Sequence, residues 1–188
     1  MKKTIALLLV AITFTACKKE AKTAEEDFSQ ETVTYPESNE ITEPATPFVQ
    51  VEWSPVQTAE MLAAKNNDTL YVTNFFATWC GPCMREIPHF KEKMEELKDQ
   101  PVKFTFIGLD PKEDWGTKVK TFAEENNLSE NIVLLNGELL TPEFFPANFN
   151  EWDGGSIPFT LMKKGDRTDE TIGMMSKQML DSKIASFR

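Results

Sequence analysis

The chain has 188 residues, enough for one ordinary domain with a core of its own and length left over for segments outside it. It is 40% hydrophobic and 27% charged, with a formal net charge of -10. A carboxylate surplus of that size disfavours nucleic acid and anionic lipid head groups as main partners, because phosphate binding needs clustered Lys and Arg.

The N-terminus differs from the rest. Lys2 and Lys3 precede an apolar stretch of 13 residues, Thr4–Ala16, which stops at Cys17. That length suits the core of a signal peptide and is short for a membrane span, which needs about 20 residues. Phe14-Thr15-Ala16-Cys17 resembles a bacterial lipoprotein signal, with Phe14 departing from the commoner Leu. The resemblance implies cleavage after residue 16, a lipid on Cys17 and a place in the bacterial cell envelope, facing the periplasm or the exterior. Residues 17–48 are rich in Glu, Thr, Ser and Pro without an apolar period and read as a disordered acidic tether.

Residues 49–188 alternate strand-like and helix-like stretches. Leu70–Ala77 is apolar apart from Thr73 and Asn74, as expected of a central strand buried on both faces. Met84, Ile87, Phe90, Met94 and Leu97 follow at helical spacing, with Pro88 expected to bend that helix. Val102–Leu109 reads as a strand, Trp115, Val119 and Phe122 as a second amphipathic helix, and Ile132–Leu135 as a third strand. Pro158–Met162 and Asp169–Met174 form an expected hairpin about Lys163-Lys164-Gly165-Asp166. A terminal helix over Ser176–Phe187, capped by Ser176, carries Met179, Ile184 and Phe187. The segment from Asn136 to Ile157, rich in Phe, Pro and Gly, receives no assignment. Interleaved helices and strands imply an α/β layer structure.

Chemistry concentrates at Trp79-Cys80-Gly81-Pro82-Cys83, where a buried strand gives way to a helix. Free amides at a helix N-terminus favour an anion, so Cys80 can ionise there and attack a disulfide. Cys83, with two residues between, is placed to resolve the mixed disulfide. The chain has only three cysteines and one histidine, so an inert disulfide scaffold and a four-ligand zinc site are both poor fits, and no metal is expected.

Phe75-Phe76-Ala77-Thr78-Trp79-Cys80-Gly81-Pro82-Cys83, followed by Glu86 and Pro88, resembles the TlpA/ResA-like branch of the thioredoxin superfamily. The resemblance implies a thioredoxin-like fold over about residue 49 to the C-terminus, with a central mixed sheet, flanking helices, and a C-terminal hairpin and helix. It also matches Ile157-Pro158 to a cis-proline loop that binds substrate backbone. Glu86 matches a carboxylate that ResA-like proteins hold near their cysteines, and is expected to accept the Cys83 proton, a solvated helix-terminus acid being the alternative. Asn74 stands where thioredoxin has a buried aspartate and cannot exchange a proton. Trp79 either offers partners a contact surface or packs structurally. Phe144, Phe145, Phe149 and Trp152 form either a substrate-recognising rim or core under a loop. His89 reads as a surface or packing residue.

By that resemblance the activity is reduction of disulfides in exported proteins, cytochrome c maturation among the roles, with electrons from a membrane thiol donor and no cofactor in the domain itself. Two alternatives are a thiol peroxidase of peroxiredoxin type, whose Pro/Thr-rich setting before a single nucleophile is missing here, and a non-catalytic lipoprotein that only binds a partner.

Overall fold

The computed structural model describes residues 46–63 and 65–188. The signal segment, Cys17 and nearly all of the tether lie outside the described residues. Phe48, counted with the tether above, is within them and buried, its amide donating to Glu124 Oε1 at 3.1 Å.

Helix α1 (Pro55–Leu62) opens the fold, with Ser54 as N-cap in a reciprocal capping box with Gln57 and Pro55 in the first turn. Strand β1 (Leu70–Phe76) leads into α2 (Gly81–Glu96), which carries Pro88 inside it without ending there. After β2 (Val102–Gly108), a short α3 (Lys112–Asp114) passes through a π-helical turn, Trp115–Val119, into α4 (Lys120–Glu125). The second helix expected from Trp115, Val119 and Phe122 is therefore a composite. Strand β3 (Ile132–Leu134), a 3₁₀ turn (Gly137–Leu139) and α5 (Phe144–Asn148) follow. The hairpin β4 (Phe159–Lys164) and β5 (Arg167–Ile172) precedes α6 (Lys177–Ser186), whose N-cap is Ser176. The hairpin ladder runs through Lys164 and Arg167, so its turn is only Gly165-Asp166, tighter than expected. Gly165 sits at φ +57°, a conformation a side chain would resist.

The sheet of the described residues has five strands in the order β3-β2-β1-β4-β5. Its β1–β2 and β2–β3 pairs are parallel and its β1–β4 and β4–β5 pairs antiparallel, so the sheet is mixed with β1 at its centre. One further bridge, Glu52 to Leu134, extends the β3 edge. Because successive strand residues face opposite sides, β1 feeds two cores. Leu70, Val72 and Phe76 face α2, α4 and α6, with Ile87, Phe90, Ala123 and Leu180. Phe75 faces α1 and α5, with Leu62, Phe149, Trp152 and Phe159. Trp152 stacks on Phe159, and Phe149 meets both edge-on. Phe144, Phe149 and Trp152 are thus packed as core under a loop, and Phe145 is half-buried. Met179 of α6 faces solvent, the buried positions being Leu180, Ile184 and Phe187. Among the described residues no helix is long and apolar enough to cross a membrane.

Candidate active site

The end of β1 and the start of α2 meet at Cys80, the N-cap of α2. Cys80 and Cys83 are joined as a disulfide, with Cα atoms 5.3 Å apart. The Cys83 backbone N–H donates to Cys80 Sγ at 3.3 Å, so a first-turn amide points at this sulfur. A charge formed there meets that donor and the positive end of α2 together. Cys80 borders solvent, with 5% of its surface exposed, whereas Cys83 is sealed at 0%. Attack from outside can reach only the first sulfur.

A groove lies over Cys80, lined by Trp79, Pro82, Leu109, Gly155 and Ile157. Trp79 is 65% exposed, a large apolar surface beside the reactive sulfur. The Ile157-Pro158 peptide bond is cis, and the Ile157 carbonyl oxygen lies 3.8 Å from Cys80 Sγ. Gly81 caps no tight space, since an added Cβ would meet only the Arg85 side chain. The structure therefore brings Trp79, Cys80, Gly81, Pro82 and Ile157 to one groove, with Pro158 buried behind it.

Glu86 is not a solvated acid. It is fully buried on the α2 face that also carries Cys83, Ile87 and Phe90. Asn74 Nδ2 donates to its Oε1 at 2.8 Å, and the Met175 amide donates to its Oε2 at 2.8 Å. Burial lifts its pKa from 4.5 to about 7, against the lowering effect of those two donors. A carboxyl group one helical turn from Cys83 is thereby poised to gain or lose a proton near neutrality. His89 is half-buried and takes no part in these contacts.

Asp110, just past β2, escaped the sequence reading. It is 1% exposed and accepts from the Thr78 N–H at 3.0 Å and from the Thr78 hydroxyl. Burial raises its pKa, with Thr78 opposing. Thr78 stands two residues before Cys80, whose own N–H is held by the Ala77 carbonyl at 3.0 Å. This carboxylate therefore pins the turn that presents the cysteine. The available signal was an acid at the C-terminal end of a strand parallel to β1, the edge where α/β sheets place their sites. Among the described residues no cluster of His, Cys, Asp and Glu could hold a metal ion.

The AhpC/TSA family matches residues 43–144, a span that contains the cysteine pair. Curated relatives include the thiol-disulfide oxidoreductase ResA of Geobacillus kaustophilus, 28% identical over 118 residues, or 61% of each chain. Another is the sporulation thiol-disulfide oxidoreductase A of Bacillus subtilis, 28% identical over 64% of this chain and 70% of that one. The match to the Geobacillus protein spans less than two thirds of its length. Among solved structures, a thiol:disulfide interchange protein of the thioredoxin family from Chlorobium tepidum is similar with TM-score 0.50 and 21% identity, over 76% of this chain and 97% of that one. A thioredoxin-related protein from Neisseria meningitidis serogroup B gives TM-score 0.50 and 23% identity, over 64% and 86%. These likenesses identify the fold as thioredoxin-like.

Proposed function

Because the chain belongs to the AhpC/TSA family and presents a Cys-x-x-Cys pair on a thioredoxin-like fold, we propose that it is a thiol–disulfide oxidoreductase acting on protein disulfides. The observation that carries this reading is the Cys83 N–H aimed at the one sulfur that borders the groove. In the reduced enzyme the Cys80 thiolate attacks a substrate disulfide, a mixed disulfide forms, and one substrate thiolate leaves and takes up a proton. Glu86 then accepts the Cys83 proton, and the Cys83 thiolate attacks Cys80 Sγ. The Cys80–Cys83 bond forms as the Cys80–substrate bond breaks. The second substrate sulfur leaves as a thiolate and takes up a proton from the medium, so the substrate departs as a dithiol, and two electrons have passed from enzyme to substrate. The groove beside Ile157, backed by Pro158, holds the substrate backbone, and Trp79 supplies apolar contact.

The direction of transfer is reduction, with exported proteins as substrates, apocytochromes c among them, and a membrane thiol protein as donor. A lipid on Cys17 and the acidic segment after it hold the domain at the membrane. The curated relatives named as thiol-disulfide oxidoreductases support the chemistry; the Cys80-Gly81-Pro82-Cys83 and Ile157-Pro158 pattern supports the direction.

Purified full chain is expected to accelerate insulin reduction by dithiothreitol, and Cys80→Ser to abolish the effect. Cys83→Ser is expected to accumulate in cells as a mixed disulfide through Cys80, identifying the partner by mass. A partner-binding lipoprotein would keep its function in Cys80→Ser cells, and a peroxidase would consume peroxide; either result overturns the proposal. Cys17→Ala is expected to release the chain from the membrane fraction.

A further inference from the structure

Both oxygens of Glu86 face donors, Asn74 Nδ2 at Oε1 and the Met175 amide at Oε2. That arrangement suits a carboxylate. The surroundings suit the neutral acid, since the residue is fully buried. A proton on the lone pair that faces Asn74 Nδ2 or the Met175 amide, with nothing else changed, would set O–H against N–H.

Asn74 contains the means of relief. Its second amide hydrogen bond goes to Thr160 Oγ1 at 3.0 Å, directly across the β1–β4 pair. Its own Oδ1 is buried without a hydrogen-bond partner among the described residues. A buried carbonyl oxygen left unpaired is costly, and an amide presents the opposite hydrogen-bonding character when turned by half a revolution. The Thr160 hydroxyl donates as readily as it accepts.

We propose that Asn74 positions Glu86 in both of its protonation states by turning its side-chain amide over, nitrogen toward the carboxylate and oxygen toward the acid. In the turned state Oδ1 receives the Glu86 O–H and the Thr160 O–H, and Nδ2 moves to the place the unpaired oxygen now occupies. There its N–H groups lack an acceptor among the described residues, a cost the two bonds to Oδ1 must offset. No covalent bond changes other than the O–H on Glu86, whose proton comes from Cys83 during turnover or from solvent in the oxidised chain. The link to turnover rests on the reading of Glu86 given above; the turning itself does not. Glu86 is hydrogen-bonded by Asn74 on β1 and the Met175 amide after β5, Asn74 is bonded in turn to Thr160 on β4, and Cys83 lies one turn away on the same helix. The charges between α2 and α6 are paired with one another, Lys93 with Asp181 and Lys177 with Glu92. Among the described residues no charged side chain acts on Glu86 directly.

The test is an NMR titration of the oxidised full chain, in which neither Cys80 nor Cys83 can titrate. The Glu86 carboxyl carbon and the Asn74 side-chain amide are expected to shift together with one midpoint, and Glu86→Gln to silence the amide. Asn74→Leu is expected to raise the Glu86 midpoint by about one pH unit, because one donor to the carboxylate is lost. Asn74→Asp keeps the shape and is expected to raise the midpoint through repulsion between two acids. A flat Asn74 signal through the Glu86 titration overturns the proposal, and so does an unmoved midpoint in both variants. The wild-type titration decides even if a variant fails to fold. An active enzyme with a flat Asn74 signal sinks only this inference, whereas coupled titration in a chain that cannot reduce insulin sinks only the functional reading.

Discussion

The two sulfurs differ in access, and Glu86 lies on the sealed side with Cys83. Its raised pKa has a consequence for stability whose sign is fixed. In the unfolded chain the group titrates near 4.5, in the folded chain near 7. Below pH 4.5 both states hold the proton and no penalty arises. Between 4.5 and 7 the folded state keeps a proton the unfolded state has lost, so stability falls as pH rises; above 7 the full penalty, about 3 kcal/mol, is present. Glu86→Gln carries no such penalty. Its stability relative to wild type is therefore expected to improve by about 3 kcal/mol between pH 4 and pH 8. Urea midpoints at the two pH values check this, and an unchanged gap would refute it. The same variant is expected to slow insulin reduction near neutral pH, because a glutamine cannot accept the Cys83 proton.

Two loops shape the groove. Asp110→Ala strands the Thr78 N–H and hydroxyl and is expected to cost about 2 kcal/mol, read by thermal denaturation, and to slow insulin reduction as the turn before Cys80 loosens. Gly154 sits at φ +83°, and a Cβ there would lie 2.3 Å from the Phe145 ring. Gly154→Ala is expected to lose about 1–3 kcal/mol and to distort the wall that continues into Gly155 and Ile157. An unaltered melting temperature would count against this account. The same elements mark where the sequence was readable. The spacing of Cys80 and Cys83 between an apolar strand and an amphipathic helix was plain, because that helix repeats its apolar residues for four turns. Helix α1 was overlooked although Ser54-Pro55 with Gln57 is a capping-box start, since only Thr58 and Leu62 of it are buried. Helix α5 was hidden for a different reason: five residues with Pro146 inside give no period to read. Asp110 went unseen because its partner Thr78 is 32 residues away and joined to it only by the parallel pairing of β1 with β2.

At the scale of the molecule, β1 supports one core on each side of the sheet, and the two meet at Ile157. Deleting a fully buried ring from either core should therefore weaken the whole domain. Phe90→Ala and Trp152→Ala are each expected to cost about 3–5 kcal/mol and to leave a single unfolding transition in calorimetry. Two separated transitions would mean the layers unfold independently. The α/β layering was legible because β1, α2, β2 and β3 each carry an apolar run or period. The strand order was not, because β4 reaches β1 through pairs such as Asn74 with Thr160, 86 residues apart.

The strip that follows β5 joins two distant jobs. The Gly173 amide donates to the Pro158 carbonyl at 2.8 Å, and the Met175 amide, two residues on, donates to Glu86. A partner that pulls on the proline loop therefore tugs a lever whose far end sets an acidity. Docking would then exchange protons with the medium before any sulfur reacts, and the heat of complex formation would differ between buffers of different ionisation enthalpy.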